Sequence, residues 1–107
     1  MCTLVSLTIG HNVAGTPTHD TAHVAEQTAR ILGVDAFTAI PCLGMWRGEA
    51  ENSTRIEIVT DDATASEIAE RVPYLAYALM QEAIMCEIRP ASVTFPARPG
   101  IEEAHTA

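Results

Sequence analysis

An α+β domain with the element order strand–helix–strand–strand–helix–strand is predicted by three features of the sequence. Residues 3–9 and 54–60 alternate apolar and polar side chains with a period of two, the mark of half-buried strands. Two segments with apolar residues at steps of three and four follow capping residues near Thr18 and Asp61. Shorter apolar stretches at 37–45 and 84–88 complete the set.

In the first strand Val5, Leu7 and Ile9 share one face. The breakers Gly10, Asn12, Gly15 and Pro17 then predict a loop. A helix follows, capped by Thr16 or Thr18, with Ala22, Ala25, Ala29 and Leu32 as its apolar stripe and Gly33 as its stop. Pro41 interrupts the second strand, which therefore belongs at an edge or a bulge. A polar turn at 48–53 joins it to the strand carrying Ile56 and Ile58, making a hairpin. Asp61, Asp62 and Thr64 cap a second helix whose stripe is Ile68, Val72, Leu75 and Leu79, with Pro73 expected to kink it or restart it. A fourth strand at 84–88, extending towards Val93–Phe95, ends a single domain over 1–95; residues 96–107 form a flexible tail.

Two right-handed crossovers and one hairpin arrange these elements as a ferredoxin-like antiparallel sheet with both helices on one face. The other face is left bare. It carries Leu4, Ile40, Val59 and Met85 among polar neighbours, an apolar share that predicts a homodimer or larger oligomer.

A length of 107 residues supports one core, and the formal charge is −8, with all 6 basic residues arginine. That balance excludes a basic footprint for direct nucleic-acid or anionic-membrane binding. No apolar run reaches the ~18 residues of a membrane span, and the first residues lack a basic segment of the secretory kind. The 3 cysteines are odd in number and widely spaced, without a C-x-x-C pair, which predicts free thiols and a cytoplasmic protein.

Four clusters carry potential chemistry. The hairpin residues Trp46, Arg47, Glu49 and Glu51 are the favoured binding surface, because Trp and Arg dominate interaction hot spots and Gly44 and Gly48 let the loop adjust. A second candidate is a ligand edge of His11, Asn12, Asp61 and Asp62. It rests on the expectation that the first and third strands run parallel and bring both helix starts together; the competing use of Asp61 and Asp62 is simple capping. His19 and His23 are four apart with Glu26 beyond, a spacing that can present ligands to one metal ion. This stripe lies away from the apolar face, so a solvated helix surface is preferred and no metal or other cofactor is expected. Finally, Cys2 can act as an N-terminal nucleophile only in an electropositive setting, which an acidic chain does not provide.

The favoured functional reading is a non-enzymatic, oligomeric module that binds a protein partner. In size and charge the chain resembles small phage-type inhibitors, which would imply docking on a basic surface by charge complementarity. In element order, and in the loop between strands two and three, it resembles sensors of the PII and divalent-tolerance type. That likeness implies an oligomer holding a small ligand or nucleotide, although their motifs are absent. A metal-dependent enzyme using His19 and His23 is a further alternative.

Overall fold

The computed structural model describes residues 2–100. Strand β1 (Cys2–Gly10) leads into two short strands, β2 (Asn12–Val13) and β3 (Thr16–Pro17), and then helix α1 (Thr21–Leu32). Strands β4 (Thr38–Trp46) and β5 (Glu49–Asp61) form a hairpin, followed by α2 (Asp62–Ala78) and β6 (Met85–Ala91). The main sheet is antiparallel in the order β4-β5-β1-β6, with both helices packed on one face. The fold is ferredoxin-like, with one small hairpin, β2–β3, added after the first strand. Among the described residues no helix is long and apolar enough to cross a membrane.

Alternation places the core as expected. Val5, Leu7, Ile9, Ile56 and Ile58 point under the helices and are buried, against Ile68, Val72, Leu75 and Leu79 of α2 and the end of that helix. Each large apolar side chain removed from water in this way contributes about 1.5–3 kcal/mol.

The contribution of α1 differs from its alanine stripe. Its buried residues are Val24, Thr28 and Leu32, whereas Ala22 is exposed. Thr28 tolerates full burial because its hydroxyl donates to the Val24 carbonyl at 2.8 Å, leaving only its methyl to the core. The N-cap is Asp20, not Thr16 or Thr18, since its carboxylate accepts from the His23 amide. Gly33 closes the helix with φ 67°, the left-handed conformation such a stop requires.

Further expectations are corrected. The 10–17 segment is not a plain loop: its Ala14–Gly15 turn closes β2 against β3. The 48–53 segment is not a turn, because β5 already begins at Glu49 and pairs with Trp46. Only Arg47 and Gly48 turn the chain, with φ of 51° and 81°, a two-residue hairpin whose twist matches its strands. β4 lies at a sheet edge, as Pro41 predicts, but runs through the proline without interruption. Helix α2 likewise runs through Pro73. The last strand reaches Ala91, and Thr94 makes only an isolated bridge. Of the expected tail, residues 101–107 lie outside the described residues.

Candidate functional site

The register of the sheet creates the site. β1 pairs with β5 from Cys2↔Asp61 to Gly10↔Ser53, and there β1 ends. Residues Glu49–Asn52 of β5 continue, paired only with Leu43–Trp46 of β4, so a two-stranded ribbon projects beyond the sheet. The loop between α2 and β6 reaches the same end, since Met85 opens β6 opposite Thr8. Between ribbon, β2–β3 hairpin and loop lies a cleft of about 670 Å³, within the ~300–1,000 Å³ of small-molecule sites.

His11 is the hub behind this cleft. Its amide donates to Asn52 on the ribbon, and its carbonyl accepts from the amides of Thr18 and His19. Its ring is buried, with Nε2 2.7 Å from the Thr54 hydroxyl, which in turn lies 2.9 Å from the hydroxyl of Thr21 at the start of α1. Burial pushes the imidazole below its usual 6.5, and a positive His19 would push the same way; the Asp20 and Glu51 carboxylates oppose both.

The cleft floor carries one carboxylate in a defined position. Glu51 Oε2 accepts from the Asn12 backbone amide at 2.8 Å. Met45, Trp46, Met80 and Met85 line the same cleft, adding apolar, polarisable surface to it. The Arg47 guanidinium stands over the Trp46 ring, 5.5 Å from its centre, and meets the Glu82 carboxylate at 3.1 Å across the cleft. Glu49, Glu51 and Glu82 against Arg47 leave this surface net negative. The side-chain amide of Gln81 donates to the Asn12 carbonyl at 2.9 Å and to Leu79, tying the loop to the floor.

Trp46, Arg47, Glu49 and Glu51 thus line one cleft together with Asn12. The expected edge of His11, Asn12, Asp61 and Asp62 is not formed. β1 and β5 are antiparallel, which separates His11 from Asp61 by about 30 Å along the strands. At that far end Asp61 caps α2 by accepting from the amide and hydroxyl of Thr64, and these bonds, the amide first, hold its carboxyl below the usual value. Asp62 accepts from the Thr3 hydroxyl.

His19 precedes α1 and is not part of it, yet its ring stacks on His23 with centres 5.3 Å apart. The Nε2–H of His19 donates to the Leu79 carbonyl at 2.7 Å, so that nitrogen is turned away from any ligand role. Glu26 is exposed, and Arg30 bonds to Gln27 in its place. Among the described residues no group of three or more His, Cys, Asp or Glu side chains converges as a metal site would need. Cys2 is buried at the start of β1. Met80, Gln81 and Glu82 carry no signal in the sequence that points to this site, and Met85 is expected there only as part of the bare sheet face. The φ of 53° at Met80, which bends the chain back towards the cleft, has no signature in residue type.

No family model and no curated protein matches this chain. Solved structures do. A phage SAM lyase in complex with S-methyl-5′-thioadenosine superposes with a TM-score of 0.64 at 21% identity, covering 82% of this chain and 80% of that one. A phage SAM lyase in its apo state gives a TM-score of 0.66 at 18% identity, covering 81% and 78%. At these identities the likeness is one of fold.

Proposed function

We propose that the cleft binds S-adenosylmethionine and that the protein is an enzyme cleaving a carbon–sulfur bond of that molecule; the similar phage proteins are named SAM lyases, one of them in complex with S-methyl-5′-thioadenosine. The observation that carries this reading is the Glu51 carboxylate, anchored by the Asn12 amide in a cleft whose lining also includes Met45, Trp46, Met80 and Met85. A sulfonium is a cation with an apolar periphery, so it needs one negative charge within soft, weakly hydrated surroundings. A carboxylate ~4 Å from such a charge contributes about 1 kcal/mol in bulk water and about 4 kcal/mol at an effective dielectric constant of 20, so a half-enclosed cleft strengthens the attraction. The Trp46 face adds cation–π attraction. When the substrate's own carboxylate oxygen bonds to the carbon attached to sulfur and closes a lactone, the electron pair of the breaking carbon–sulfur bond moves onto sulfur, leaving a neutral thioether that Glu51 no longer holds. Product release is thereby favoured.

The test is incubation of the purified protein with S-adenosylmethionine, following its loss and the appearance of S-methyl-5′-thioadenosine by liquid chromatography. Substrate loss that disappears in Glu51→Gln supports the reading. Absence of both turnover and measurable binding overturns it.

A protein-binding module is the second reading, favoured by the exposure of Leu43, Met45 and Trp46 along the projecting ribbon. In that reading the ribbon meets a partner directly. Self-association belongs to either: the bare sheet face carries Ile40 and Met85 in exposed positions, and a second copy would cover them. Met85→Glu should weaken such association in sedimentation experiments.

A further inference from the structure

We infer that Gly10 is a positioning residue whose missing side chain sets where the Glu51 carboxylate sits; the ligand part of this inference rests on the proposed S-adenosylmethionine site. Gly10 is the last residue of β1, opposite Ser53 on β5. Its backbone is not in the left-handed region, unlike Gly15, Gly33 and Gly48, so conformation does not demand glycine there. Space does. A β-carbon at position 10 would lie 2.6 Å from Glu51 Oε2, 2.7 Å from its carboxyl carbon and 2.8 Å from Oε1. All three distances are shorter than real β-carbon contacts allow, so the carboxylate occupies the volume that any other residue would fill.

The same placement brings Oε2 to 2.8 Å from the amide of Asn12, two residues along the chain from Gly10. Glycine at 10 and the free N–H at 12 therefore act together: the first lets the carboxylate lie flat over the end of β1, the second anchors it. Gly44, the partner of Glu51 on β4, is a built-in comparison, because its β-carbon would instead meet the Ser53 hydroxyl at 2.8 Å. A methyl group there crowds the Ser53 hydroxyl, which donates to the Glu51 backbone carbonyl, and does not meet the Glu51 carboxylate.

The experiment is a mutant cycle on the full chain: Gly10→Ala, Glu51→Ala, their combination, and Gly44→Ala as control. Without ligand, the Asn12 amide resonance should move in Gly10→Ala to the position it takes in Glu51→Ala, and stay put in Gly44→Ala. Thermal midpoints should show coupling, with Gly10→Ala raising the midpoint in the Glu51→Ala background, where no carboxylate is displaced, but not in the native one. Calorimetric titration should show at least a tenfold loss of S-adenosylmethionine affinity in Gly10→Ala, with discrimination against S-adenosylhomocysteine, whose thioether sulfur is uncharged, lost as well. An unmoved Asn12 amide and additive midpoints overturn the inference. If the native protein fails to bind S-adenosylmethionine, the functional reading falls, and the amide shifts and midpoints still decide the role of Gly10. Should Gly10→Ala alone fail to fold while the combination with Glu51→Ala folds, the clash with Glu51 is demonstrated directly.

Discussion

Arg47, in the turn of the β4–β5 ribbon, reaches across the cleft to Glu82 in the loop after α2, closing a 3.1 Å ion pair between residues 35 apart in sequence. Both side chains are more than two-thirds exposed, so water and salt screen them. Their effect on the fold is therefore small, while their effect on access to the cleft is direct.

Glu82→Gln should change unfolding free energy by less than ~1 kcal/mol, the range of exposed pairs. Ligand dissociation should accelerate severalfold, and added salt should mimic the substitution in the native protein. Stopped-flow displacement at two ionic strengths measures both effects.

Trp46 is the single tryptophan; it lines the cleft at the end of β4 and is 53% exposed. Trp46→Ala should cost less than ~1 kcal/mol in chemical denaturation and abolish binding at the cleft. A loss of ~3 kcal/mol or more would instead mark the ring as part of the core. In the native protein, ligand binding should alter the fluorescence of this one indole.

His11 makes stability depend on pH. Because burial lowers its folded value below 6.5, the folded state prefers the neutral imidazole. The corresponding stability is fully present above pH 6.5 and is lost as the pH falls through the depressed folded value. His11→Gln should flatten that part of the profile in thermal melts between pH 5 and pH 7. Asp61 acts lower on the scale. Its folded carboxyl is held below 3.8, so its contribution is present above that value and lost on further acidification, as Asp61→Asn should show.

Chelation should leave the thermal midpoint unchanged, since His19 Nε2–H is committed to the Leu79 carbonyl and Glu26 stands apart. A fall of many degrees with chelator, restored by zinc, would make His19 and His23 ligands after all.

Strand periodicity was legible in sequence because it is local: Val5, Leu7 and Ile9 can all be buried only if the chain is extended with that face inward. The caps at Asp61 and Gly33 were legible for the same reason, since each bonds within a few residues of itself. The ribbon residues Trp46, Arg47, Glu49 and Glu51 stood out by type and proximity. Tertiary structure alone decided what they face. The antiparallel pairing of β1 with β5 separates His11 from Asp61 and brings Gly10 beneath Glu51, a direction that alternation cannot reveal because the same faces are buried either way. It also carries Met80, Gln81 and Glu82 to the far side of the cleft from residues more than 30 positions earlier, a contact set by the packing of α2. Local chemistry wrote the elements, and the direction of one strand pair assembled the site.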